Sequence, residues 1–355
     1  MFLRSLRSKG IARCFPSLPL AVFSAVIAIG LSSPLASQAN ESGYHIIDKQ
    51  HLDGDTKWDY LSLDAANRHL FITHGDRVEV FDVDKKQIVG AIPDTHGVHG
   101  VAVAAELDRG FTSNGKDNSV TIFALSTLKV IGTAPAEKKP DGIVYDPASK
   151  RVFVGNGASG SLTPIDAAEG KSLAAIPLDG KPEFAVVDGK GRLFINLEDK
   201  NELVVVDTQK LAVTQRYALS PKCDEPAGLS IDLATERLFV GCHNRIMAIV
   251  DANTGKILAT PTIGNDSDAT VYDAGSKLAF SSNADGTLDV IRALDAKRYQ
   301  RKQSIKTMIG ARTLALDPIS HKVYLIAAEV APKKRSGRPN FNPDTLTLIT
   351  VGPGQ

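Results

Sequence analysis

An all-β ring of seven four-stranded antiparallel blades is predicted by three observations on the 355-residue chain. An aromatic-centred pattern, F-x-x-N and its near relatives, returns about every 42 residues. Strand-like runs fill each interval, and past the first 39 residues no stretch sustains a helical period. The last unit is one strand short, and a spare strand lies just upstream of the first.

The pattern reads Phe71-Ile72-Thr73-His74, Phe111-Thr112-Ser113-Asn114, Phe153-Val154-Gly155-Asn156, Phe239-Val240-Gly241-Cys242 and Phe280-Ser281-Ser282-Asn283. Phe194-Ile195-Asn196 and Tyr324-Leu325-Ile326-Ala327 are looser copies. An anchor precedes each aromatic by seven residues, or six in the fourth copy: Asp64, Ala104, Asp146, Asp188, Asp232, Asp273 and Asp317. Successive anchors are 40, 42, 42, 44, 41 and 44 residues apart. A period of this length built only from short strands marks a β-propeller blade.

Within each unit an apolar run such as Leu61-Ser62-Leu63 enters the anchor, and an Asn/Gly/Ser/Lys-rich turn leads to the aromatic run. A third run follows, as in Val78-Glu79-Val80-Phe81 or Leu203-Val204-Val205-Val206. A more polar fourth strand closes the unit, as in Lys256-Ile257-Leu258-Ala259. β-Branched and aromatic runs bounded by Asp, Asn and Gly are strand signals. In the seventh unit Leu346-Thr347-Leu348-Ile349 is the third strand, so Tyr44-His45-Ile46-Ile47 is expected to supply the fourth. That closure leaves no open sheet edge in the ring.

Residues 1–39 read as a secretory signal peptide: Arg4, Arg7, Lys9 and Arg13, then the apolar run Leu20 to Leu31, then Ser37-Gln38-Ala39. The expected mature chain, 40–355, is one propeller domain without a membrane span, periplasmic or secreted, and monomeric. Four of the 41 basic residues and none of the 40 acidic ones lie in 1–39, leaving 37 against 40. That balance argues against a nucleic-acid-binding surface overall. Of three cysteines, Cys223 and Cys242 remain, and the repeat frame puts both at one end of the fifth blade. In an oxidising compartment a disulfide is expected, two buried thiols being the alternative.

The F-x-x-N runs, the third strands ending in Asp82, Asp166, Asp207 and Asp251, and turns such as Asp251-Ala252-Asn253-Thr254-Gly255-Lys256 resemble the YVTN-type seven-bladed β-propeller family, specifically its YncE-like secreted bacterial members. The resemblance spans 44–350. It implies a scaffold of repeated blades in an extracytoplasmic binding or surface protein, and assigns no activity.

Aligned units expose one position of unusual content, five residues before each anchor: Asp59, His99, Asp141, Glu183, Ala227, Asp268 and Arg312. It is expected on the loops at the channel mouth, with Glu225 adding a carboxylate where Ala227 has none. Turn formation by the acids is the plain alternative, since Pro-Asp-Gly and Pro-Glu-Phe suit turns. Crowded carboxylates call for a cation or shared protons. Asp59, His99, Asp141, Glu183 and Asp268 are therefore the candidate metal ligands. An oxygen-rich ring suits Ca²⁺ or Mg²⁺, and His99 with His96 would admit a transition metal. His74, Asn114, Asn156, His243 and Asn283 fall on the same face. Trp58 is either a wedge between blades or an aromatic wall. An insertion from Glu329 to Asp344 carries Lys333, Lys334, Arg335 and Arg338, and reads as a loop outside the repeating strands or as a lid.

The chain has no Walker loop, no G-x-S-x-G elbow, no H-E-x-x-H and no C-x-x-C-H. The leading expectation is an extracytoplasmic binding or scaffold propeller, whose mouth meets a small ligand, a metal ion or a protein partner. A metal-dependent hydrolase, lactonase or lyase at that mouth, and a nucleotide or single-stranded nucleic-acid binder using the basic insertion, are the alternatives.

Overall fold

In the computed structural model the described residues are 43–332 and 340–354. The leader expected over 1–39, and Lys333, Lys334, Arg335 and Arg338 of the insertion, lie outside them. Blade one is Trp58–Asp64, His69–His74, Arg77–Asp82 and Gln87–Ile92, each strand antiparallel to the next. The same order recurs from innermost strands Val98–Ala104, Pro140–Asp146, Pro182–Val187, Pro226–Asp232 and Ser267–Asp273. In blade three the outermost strand is split into Lys171–Ser172 and Ile176–Pro177, both paired to Ser161–Asp166. Blade seven runs Leu314–Asp317, Lys322–Ala327, Thr347–Pro353 and then Tyr44–His51, so the N-terminal strand closes the ring as expected.

The anchors earn their recurrence as turn caps. Asp64 Oδ1 accepts the backbone N–H of Ala66 at 3.1 Å and of Asn67 at 3.2 Å. Asp146, Asp188, Asp232, Asp273 and Asp317 cap their turns in the same way. Ala104 has no carboxylate to offer, and there the turn tightens into the 3-10 segment Ala105–Leu107.

All seven repeat aromatics are buried, and each lies in the cluster that joins its blade to the following one. Phe71 packs with Val101 and Phe123 of blade two, and Tyr324 with Leu61 and Leu70 of blade one. Burying such a side chain contributes about 1.5–3 kcal/mol. The ring therefore rests on seven interfaces of one design.

Cys223 and Cys242 form a disulfide with Cα atoms 5.4 Å apart. It ties the loop entering blade five to the end of that blade's second strand. No helix among the described residues is long and apolar enough to cross a membrane. Replacing both cysteines by Ser should lower unfolding free energy by about 3 kcal/mol in urea titrations, given the 19-residue separation. A change under about 1 kcal/mol would mean the bond adds little to a loop already held by its neighbours.

Candidate functional site

The seven aligned positions do reach one end of the channel, but not on loops. Except in blade seven, each is the second residue of an innermost strand. There the pairing register slips: between Trp58 and Leu61, Val98 and Val101, Pro140 and Ile143, Pro182 and Ala185, Pro226 and Leu229, and Ser267 and Ala269. A bulge releases a residue from its ladder and re-aims its side chain. The freed backbone groups are taken up by neighbouring side chains. Thr73 Oγ1 accepts Asp59 N–H at 3.1 Å, and Thr313 Oγ1 donates to Asp59 O at 2.7 Å. Ser113 donates to Asp141 O, Asn196 to Ala227 O, and Ser282 to Arg312 O, each from one blade to the next.

The residue after each ring position decides the floor. Gly142 and Gly228 stand where a Cβ would lie 2.6 Å from Glu183 O and 2.7 Å from Thr270 N, so adjacent inner strands touch backbone to backbone. Tyr60 and Phe184 take the remaining space, their rings edge-on at 4.8 Å. With Gly100 and Gly142 they line a cavity of about 120 Å³. Tyr60 and Phe184 were missed in the sequence because they sit one residue outside the frame that exposed the acids.

Above this floor the ring divides into ion pairs. His99 Nδ1 is 2.6 Å from Asp59 Oδ2 and 3.6 Å from Asp141 Oδ1. Arg312 Nε is 3.3 Å from Asp268, and its Nη2 is 3.9 Å from Asp59. Glu183 bonds Lys181 at 2.6 Å, and Lys181 also pairs with Glu198. Tyr60 Oη lies 3.5 Å from Glu183. Lys181, two residues from Glu183, was also missed.

Burial and mutual repulsion favour protons here. Burial, then the nearby Asp141 carboxylate, pushes Glu183 up from 4.5 to about 8, against the pull of Lys181. Burial lifts Asp268 from 3.8 to about 6 despite Arg312, and lifts Asp141 as well. His99 is raised too: burial opposes its charge, but the bond to Asp59 and the field of Asp141 prevail. Burial and the four surrounding carboxylates keep Tyr60 a neutral phenol.

Other sequence candidates stand elsewhere. His96 is exposed and pairs with Asp117 at 2.8 Å. Glu225 leans outward to His243 at 2.8 Å, with Glu198 close enough to form a second, more open cluster. His74 is fully buried between Glu79 and Asp55. Asn114, Asn156 and Asn283 bind their own hairpins through Ser119, Ser161 and Thr287. Trp58 is a wedge: its ring meets Phe341 of the insertion edge-on at 4.7 Å and joins the clusters on either side. The insertion is accordingly not all solvated loop, since Asn342 and Ala331 bond back across it.

The chain is similar in structure to the crystal structure of RRP9 WD40 repeats, with a TM-score of 0.73 and 9% identity over 87% of this chain and 99% of that one. It is also similar to a chain of the Mitotic Checkpoint Complex (TM-score 0.71, 13% identity, 86% and 96% covered). A third likeness is to Kuenenia stuttgartiensis hydrazine synthase (TM-score 0.67, 14% identity, 78% and 94% covered). No family model matches the sequence, and no curated protein matches it. At such identities the likeness shows the fold, a seven-bladed β-propeller.

Two outcomes follow from this geometry. Glu183 and Asp268 bind protons more tightly folded than unfolded. The stability they add is full below the unfolded values and lost as pH rises through about 6 for Asp268 and about 8 for Glu183. Chelator-treated protein should melt lower at pH 8.5 than at pH 6, with a smaller difference in Glu183→Gln. A melting temperature that rises over this interval would contradict the assignment. Phe341→Ala should cost about 1–3 kcal/mol and red-shift the emission of Trp58, because it strips one face of that ring. Unchanged emission would show that the edge-on contact is absent in solution.

Proposed function

We propose that this chain is an exported binding propeller of the YVTN type, taking a small polar ligand at the axial mouth. The observation that carries the reading is convergence. Asp59, His99, Asp141, Glu183, Asp268 and Arg312 come from six blades and stand over one aromatic floor. Gathering carboxylates where water is scarce costs free energy. Their side chains cap no turn and join no ladder, so scaffolding does not account for them. Arg312 adds a cation at ion-pair rather than hydrogen-bond geometry, ready for a ligand carboxylate or phosphate. The charged n-region and apolar run within 1–39 support export, as does a disulfide in the chain.

A hydrolase or lyase at the same mouth is the second reading. It is favoured by Glu183, a buried acid kept protonated near neutral pH beside the phenol of Tyr60. The fold hosts both kinds of role and does not choose between them.

Native mass spectrometry of protein purified from the exported fraction tests the binding reading. A non-covalent adduct should accompany the wild type and Lys129→Met, a change at an exposed residue just before the outermost strand of blade two. It should be missing from folded Arg312→Met. An adduct retained by Arg312→Met, or none on the wild type, would count against the mouth as the binding site.

A further inference from the structure

We infer that His99, Asp59 and Asp141 together hold one divalent transition-metal ion at the channel mouth, and that Glu183 and Asp268 do not ligate it. The inference rests on the mouth being the binding site and names what it binds. One ring nitrogen of His99 and one oxygen from each carboxylate lie within 4.8 Å of one another. Donors bonded at about 2.1 Å to a tetrahedral or octahedral ion are about 3.0–3.4 Å apart. The observed 2.6 and 3.6 Å from His99 Nδ1 bracket that range, so an ion entering would displace the proton His99 shares with Asp59, open that pair and draw Asp141 inward.

The pairing inside the cluster is uneven. Asp141 is largely buried, and its side chain keeps only a narrow opening to solvent, with His99 Nδ1 at 3.6 Å. Its nearest cationic partner is the ring nitrogen that Asp59 already engages at 2.6 Å. One imidazole N–H cannot satisfy both acids, whereas a dication between them can.

The two remaining carboxylates are differently placed. Glu183 is met by Lys181 at 2.6 Å and Asp268 by Arg312 at 3.3 Å, so each has a resident cation. That narrows the five-ligand set expected from the sequence to three. The imidazole also selects the metal. Ca²⁺ and Mg²⁺ favour all-oxygen sites, whereas mixed nitrogen and carboxylate donors suit ions such as Mn²⁺, Co²⁺ and Zn²⁺. Three protein ligands leave positions open toward the mouth. An anionic group bound there would lie beside Arg312, whose Nη2 is 3.9 Å from Asp59. The class of ligand is thus a small acid seated on both the ion and the guanidinium.

Titration calorimetry of the chelator-stripped full protein with Zn²⁺ and Co²⁺ provides the test. The wild type should bind one ion. Asp141→Asn and His99→Gln should weaken binding at least tenfold, and Asp268→Asn should stay within about threefold. Independently of any variant, spin-echo spectra of the Mn²⁺-loaded wild type should carry modulation from a directly bound imidazole nitrogen. No binding of Zn²⁺ or Co²⁺ at millimolar concentration overturns the inference. So does a loss in Asp268→Asn as large as in Asp141→Asn, or an Mn²⁺ spectrum without the nitrogen. The adduct measurement adds no metal and reads Arg312, so the binding site and its metal can fail separately.

Discussion

Everything at the mouth depends on how closely seven inner strands can approach one axis. Where Gly142 lies against Glu183 O and Gly228 against Thr270 N, no side chain fits between the strands. Strands that crowded cannot keep a regular ladder to their second strands and still turn outward at the rim. The bulge resolves the conflict, shifting register within two residues and leaving one side chain per blade pointing into the opening. Thr73, Ser113, Asn196 and Ser282 make it affordable by accepting or donating where the ladder stops. The chemistry of the ring is thus a by-product of closing it, and its residue types are then free to vary with ligand.

That freedom shows in the electrostatics. Blade five leaves Ala227 at its ring position, while blades four and seven bring Lys181 beside Glu183 and Arg312 beside Asp268. Asp59 and Asp141 flank the single imidazole, and Arg312 Nη2 is a further 3.9 Å from Asp59. Parts of one opening therefore differ, one joining its carboxylates through an imidazole and the others through the permanent cations of Lys181 and Arg312. A ligand with a cationic or metal-bound end and an anionic end would enter in one orientation.

Much of this was legible in the sequence, for identifiable reasons. A 40–44-residue period and the buried aromatics give the blades, since each interface needs the same large side chain in the same place. The closing strand was legible because a seventh unit with three strands must borrow a fourth. The acids were found by alignment, but their setting was not: Pro-Asp-Gly is spelled like a turn and used as the start of a strand. A bulge is a register relation between two strands, and single-strand patterns do not carry it. Tyr60 and Phe184 escaped because the other blades place Gly, Ala or Thr at that column. Lys181 escaped because its role depends on Glu198, in the turn that follows a second strand. His96 and Glu225 were drawn in by proximity in sequence alone.

The shared seventh blade also imposes an order in time. Strand Tyr44–His51 is the first part of the ring to be synthesised, and its partner Thr347–Pro353 is the last. Roughly 300 residues separate them, which at about 5–20 residues per second is on the order of 15–60 s. Throughout that interval the first strand has no partner, and neither flank of the ring can shut. Five of its eight residues are polar or charged, with Asp48 and Lys49 near its centre, which suits a segment that must wait in water without sticking to its neighbours.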